Sequence, residues 1–317
     1  MSVNPSELKL FAELDRQSKK NPTEKSGEMT VSGFRAMSDM FLQYTGKAAD
    51  VPFKNYFVTA RDGYQIPIRI YNHQLDANKP VFIMYPGCGY FLDLFEVNAV
   101  AASRIASYGN IKVIIVNFRI CPEVKMPTPI YDAYDATKYI ALHARKFKIN
   151  QNEIFIGGVS SGAHAAANIS SMSRYDKELT IKHQILVNGS YDLTQSQDKY
   201  KKYELEDKIC QRGDIINFMF AQYGVTKKDL IKSFLSPVFE KNVSGMPDTT
   251  FLIAEYDGIR SDSEAYYLHL KSENNNIERV LLPGQTHNTI IMREAMTDGE
   301  DPALTIATVI KQSLNRG

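Results

Sequence analysis

From about Phe53 onward, short apolar runs alternate with longer amphipathic stretches. The runs are Tyr64–Tyr71, Val81–Tyr85, Val113–Phe118, Ile154–Gly157, Gln184–Val187, Thr250–Ala254 and Ile277–Leu282. Helix-period patterns lie between most of them, at Val97–Tyr108, Tyr131–Phe147, Ser161–Ser173 and Ser261–Glu273. Nearly continuous apolar strands separated by helices predict an α/β fold, with a mostly parallel sheet covered on both faces. A last helix is predicted to open at Asp301-Pro302, an N-cap residue followed by proline at the first helical position, and to close at Arg316-Gly317.

Two segments depart from this alternation. Residues 1–50 read as two amphipathic helices, one carrying Leu8, Phe11 and Leu14, the other Phe34, Met37, Met40 and Phe41. Residues 192–235 carry further helical patterns, with Ile215, Phe218, Met219 and Tyr223. Such stripes are ordinary core packing residue by residue. Together they predict a helical cap above the sheet's carboxyl edge, on a single domain spanning residues 1–317.

Composition narrows the function classes. With 44% hydrophobic and 23% charged residues, the 317-residue chain has material for a large core. Its net charge of +1 supplies no basic field for nucleic acid or an anionic membrane. The first twenty residues lack the apolar stretch of a secretory signal, and no run approaches the ~18 apolar residues of a spanning helix. Cys88, Cys121 and Cys210 are odd in number and lack metal-ligand spacing, which argues against a disulfide framework or a zinc site. The expected compartment is the cytoplasm, and no cofactor or metal is implied.

Chemistry enters at Gly158-Val159-Ser160-Ser161-Gly162, a G-x-S-x-G set between an apolar run and an Ala-rich helical stretch. This is the strand, sharp turn and helix of a nucleophile elbow, in which small neighbours let the turn close and push the serine hydroxyl outward. A serine needs a base in reach and a third group to orient that base. Of six histidines, His287 follows the strand-like Val280-Leu281-Leu282 and so falls at the sheet's carboxyl edge, where α/β sheets place their chemistry. His73, His143 and His269 are expected to be solvated, and His164 reads as an ordinary helix residue. Asp257 ends another strand thirty positions before His287 and is the expected acid, with Asp262 second and otherwise the cap of the next helix. The order Ser, Asp, His is that of α/β-hydrolases. Oxyanion donors are expected from the amide of Ser161 and from the glycine-rich turn Tyr85-Pro86-Gly87-Cys88-Gly89-Tyr90, with Gly87 and Cys88 as candidates.

These motifs resemble the hormone-sensitive-lipase-like branch of the α/β-hydrolases, which includes bacterial acetyl esterases and carboxylesterases. The glycine-rich turn is similar to that family's Tyr-His-Gly-Gly-Gly-Phe, and Phe118-Arg119-Ile120-Cys121-Pro122-Glu123 to its Tyr-Arg-Leu-Ala-Pro-Glu. The elbow resembles Gly-Asp-Ser-Ala-Gly, Ser236-Pro237-Val238 resembles Ser-Pro-Leu, and Asp257-Gly258-Ile259-Arg260-Ser261-Asp262 resembles the acid motif Asp-Pro-Leu-Arg-Asp. Proline replaces the histidine that opens the turn, Cys88 replaces a glycine, and Val159 replaces an acidic residue. An amide donates from any residue except proline, so Cys88 keeps its donor.

The resemblance implies a serine carboxylester hydrolase for small, short-acyl esters, with no cofactor, and a homodimer through the last strand and helix. Hydrolysis of an amide, thioester or lipid ester, a non-catalytic ligand-binding protein on the same fold, and Cys88 as nucleophile are the alternatives.

Overall fold

The computed structural model describes residues 2–20, 30–36, 38–76, 79–194, 213–273 and 275–316. Met37, Cys210 and the side chain of Ile215 lie outside the described residues. Eight strands form one sheet among these residues: β1 (Phe53–Thr59), β2 (Gln65–Tyr71), β3 (Val81–Tyr85), β4 (Lys112–Val116), β5 (Ile154–Val159), β6 (His183–Val187), β7 (Asp248–Ala254) and β8 (Ile277–Leu282). Their order is β1-β2-β4-β3-β5-β6-β7-β8. β2 runs antiparallel to both its neighbours, and every other pair is parallel.

The apolar runs become strands because helices cover both faces, so β3, β4, β5 and β6 are buried at every position. Each buried Val, Ile or Phe side chain there contributes about 1.5–3 kcal/mol. β1 has no counterpart among the predicted runs. It is an edge strand whose only fully buried residue is Val58, and its Phe-Lys-Asn-Tyr-Phe-Val-Thr carries no continuous apolar stretch.

The helices follow the predicted patterns, with two corrections. The expected Tyr131–Phe147 helix is two helices, Thr128–Leu142 and Ala144–Phe147, broken at His143. In the N-terminal helix Pro5–Lys20, Leu8 is 50% exposed, while Glu7, Leu10 and Phe11 are buried. Glu7 interrupts that apolar stripe, and its Oε1 accepts from Thr289 Oγ1 at 2.7 Å. The last helix, Pro302–Asn315, begins as its Asp-Pro predicts: the Asp301 side chain accepts from Ala303 N at 3.0 Å. It packs against the helix Phe95–Gly109 on one face of the sheet.

Because β3 to β8 are all parallel to one another, their carboxyl ends share one edge. The loops after β3, β5, β7 and β8 therefore meet there. The helices Val31–Ala36, Ser38–Thr45 and Gly213–Tyr223 contribute Phe34, Phe41, Met219 and Phe220 to the walls of the cavity they enclose.

Candidate active site

Ser160 stands between β5 and the helix Ser161–Ser173 with φ 54° and ψ −119°. A non-glycine residue held there stores on the order of 1–3 kcal/mol, so its surroundings must over-determine it. Two contacts do so. Ser160 N donates to Val187 O at 2.9 Å, and the carboxyl end of β3 presses on the turn from the other side. A Cβ on Gly158 would lie 2.5 Å from Tyr85 O, and one on Gly162 would lie 2.0 Å from the same atom. No larger residue fits at either position, and the serine is left as the turn's projecting side chain.

Asp257 and His287 are brought together as their positions after β7 and β8 require. His287 Nδ1 lies 2.9 Å from Asp257 Oδ2, both side chains being buried. The other carboxylate oxygen accepts from Ile259 N at 2.9 Å, which fixes the Asp257 rotamer. A carboxylate only accepts, so Nδ1 carries the proton and Nε2 is the basic nitrogen. Ser160 and His287 line the same cavity, of about 150 Å³.

Asp262 is not part of this pair. It sits inside the first turn of the helix Arg260–Lys271, whose N-cap is Ile259, so the expected capping role is also corrected. Its buried carboxylate accepts from Ser190 Oγ at 2.9 Å and Tyr191 N at 3.2 Å, and burial pushes its pKa up to about 8. Glu255 pairs locally, accepting from Gly284 N.

In the glycine-rich turn both expected donor amides are bonded to neighbouring side chains. The amide of Gly87 is committed to Asn98 Oδ1 at 2.9 Å, while Asn98 Nδ2 donates back to Gly87 O and to Leu94 O. The Cys88 amide donates to Ser161 Oγ at 2.9 Å. The amides of Gly89 and Ser161 have no bonded partner among the described residues, and both residues line the cavity. Positive φ falls at Gly89 and Tyr90, not at Cys88, so the cysteine replaces a glycine without left-handed strain.

Burial pushes the Cys88 thiol up to about 12, which disfavours the thiolate that a cysteine nucleophile needs. Accordingly, Cys88→Ala is expected to retain activity within about fivefold, since its backbone amide is unchanged. In the native protein Cys88 should resist iodoacetamide at pH 8 and react only after unfolding, as peptide mass mapping would show.

Two asparagines escaped the sequence reading. Asn98 clamps Gly87, as above. Asn188, just after β6, donates to His287 O at 3.1 Å and accepts from Ala254 N at 2.8 Å, tying the histidine loop to the end of β7. The remaining histidines stand apart from the Asp257–His287 pair. His143 is exposed and His73 half-buried. His269 is half-buried and bonded through Nε2 to Glu240 O, rather than solvated. His183, unassigned by pattern, is buried between Ser313 and Thr250. Among the described residues no group of three or more His, Cys, Asp or Glu is placed to hold a metal, and no helix is long and apolar enough to cross a membrane.

Comparison with known proteins agrees with this fold. A family profile described as alpha/beta hydrolase fold matches residues 82–291. The chain is 27% identical over 212 residues to an arylesterase of Saccharolobus solfataricus, covering 66% of this chain and 68% of that protein. It is 22% identical to an ethyl acetate hydrolase of Pseudomonas putida, covering 81% of each. Among solved structures, a hyperthermophilic esterase from Pyrobaculum calidifontis aligns with a TM-score of 0.86 at 24% identity, covering 98% of this chain and 99% of the other. An alpha/beta hydrolase from the metagenome of Lake Arreo aligns with a TM-score of 0.90 at 20% identity, covering 99% of both.

Proposed function

Because the chain belongs to the α/β-hydrolase fold family, we propose that the cavity at its sheet edge hydrolyses small carboxylic esters through an acyl-enzyme on Ser160. The observation that carries this reading is the His287 Nδ1 to Asp257 Oδ2 contact of 2.9 Å at the rim of a cavity that also exposes Ser160. Ser160 Oγ attacks the ester carbonyl carbon and gives its proton to His287 Nε2, while Asp257 holds the ring and stabilises the imidazolium. The new oxyanion accepts from the amides of Gly89 and Ser161, fixed dipoles that need no reorganisation as charge develops. The C–O bond to the alcohol then breaks, and His287 returns its proton to the departing oxygen. Water, deprotonated by the same nitrogen, cleaves the acyl-enzyme and restores the serine.

Cavity size supports a small substrate. A dry cavity near 150 Å³ holds a molecule the size of benzene, and this one is walled mainly by aromatic and aliphatic side chains. Relatives described as an ethyl acetate hydrolase and an acetyl esterase act on esters of that scale by name. The described parts of residues 1–50 and 192–235 serve, in this reading, as the cap that limits access, residues 21–29 and 195–212 of those segments lying outside the described residues.

The test is turnover of p-nitrophenyl acetate, butyrate, octanoate and decanoate, together with labelling by a fluorophosphonate. Hydrolysis of the short esters and one label on the peptide containing Ser160 are expected. Absence of both from the folded protein would overturn the proposal.

A further inference from the structure

We propose that Tyr90, His164 and Tyr223 form the end wall of the acyl site and set the length of acyl chain the enzyme accepts, an inference that rests on the ester-hydrolase reading of the same cavity. Each ring comes from a different part of the chain: the turn after β3, the helix that starts at the elbow, and the helix Gly213–Tyr223. All three line the cavity.

Their hydrogen bonds are internal and their directions are fixed. Leu235 O, 3.0 Å from His164 Nε2, only accepts, so that nitrogen carries the proton. His164 Nδ1 is then the acceptor, and the Tyr90 hydroxyl donates to it at 2.7 Å. Tyr223 Oη donates to Gly89 O at 3.0 Å. Tyr90 packs edge-on against both partners, with ring centroids 5.6 Å from His164 and 6.0 Å from Tyr223. Burial pushes the His164 pKa down to about 4 and both tyrosines well above their ordinary value, so the wall stays neutral. With its polar atoms spent on one another and on the carbonyls of Gly89 and Leu235, it offers ring carbons to the ligand.

Sheet order says which end of the ester meets it. The turn after β3 lies on one side of β5, while the loops after β7 and β8 lie on the other, beyond β6. The leaving oxygen must reach His287 for its proton, so the alcohol occupies the β8 side. The acyl chain is thereby directed to the β3 side, toward Tyr90 and His164.

The experiment measures kcat/KM for p-nitrophenyl acetate, butyrate, hexanoate and octanoate on the wild type, His164→Ala, His164→Asn and His164→Phe. The wild type is expected to favour butyrate over octanoate by more than tenfold. His164→Ala should lower that ratio at least tenfold by opening space behind the ring, and His164→Asn should lower it by about threefold. His164→Phe, which refills the volume, should keep the ratio within threefold of wild type. A ratio unmoved by more than twofold in folded His164→Ala, or in His164→Asn if the alanine variant does not fold, overturns the wall. If no ester of any length is turned over by the wild type, the ester-hydrolase reading itself fails. Turnover with an unmoved ratio removes only the wall.

Discussion

Ser160→Ala is expected to lower kcat on p-nitrophenyl butyrate by on the order of 10⁵-fold, about 7 kcal/mol of transition-state stabilisation, and to abolish fluorophosphonate labelling. The loss is large because the hydroxyl is the only atom that makes the acyl bond, while the residual rate comes from cavity binding and the oxyanion amides. Substrate affinity should change little, so kcat and kcat/KM fall together. Stability separates chemistry from folding. Alanine keeps the strained backbone at φ 54° and should melt with the wild type. Ser160→Gly adopts that conformation freely and should gain about 1 kcal/mol, near 2 °C in Tm, while being equally inactive. A serine variant that loses activity only in proportion to lost folded protein would contradict the assignment.

The elbow was legible because its signal is local. The glycines flanking Ser160 stand between a strand and a helix that their own patterns announce, and the β3 carbonyl that excludes a Cβ there needs only that strand beside β5. His287 and Asp257 were legible for a topological reason: parallel strands deliver every following loop to one edge. What stayed hidden depends on the path of the backbone through space. Gly87 and Gly89 are alike as letters, and only the placement of Asn98 shows which amide is already bonded. Asn188 looks like any loop asparagine until β7 and the histidine loop are seen on either side of it. β1 escaped because an edge strand with one fully buried residue carries no apolar run. His164, read as an ordinary helix residue, is buried against Tyr90 and Leu235 O, a setting fixed by a segment 71 positions away.

Asp257→Asn should cost about 10⁴-fold in kcat, near 5 kcal/mol, while leaving the fold and KM nearly unchanged. An asparagine can still accept from Ile259 N with its carbonyl, so the 257–259 turn survives. Its amide nitrogen then faces His287 Nδ1, and two N–H donors cannot meet at 2.9 Å. The imidazole proton moves to Nε2, and the nitrogen facing the cavity becomes a donor that cannot take the serine's proton. The defect is thus one of tautomer rather than position. Fluorophosphonate labelling should slow by a similar factor, because it too requires the serine to be deprotonated. Activity should recover partly as pH rises, since hydroxide takes the serine's proton without the imidazole. Asp262→Asn provides the contrast. Its side chain contacts Ser190 and Tyr191 rather than His287, so it should leave the tautomer and the alkaline limb of the profile untouched. If Asp257→Asn kept wild-type kcat while Asp262→Asn lost it, the acid of this site would lie in the helix and not at the end of β7.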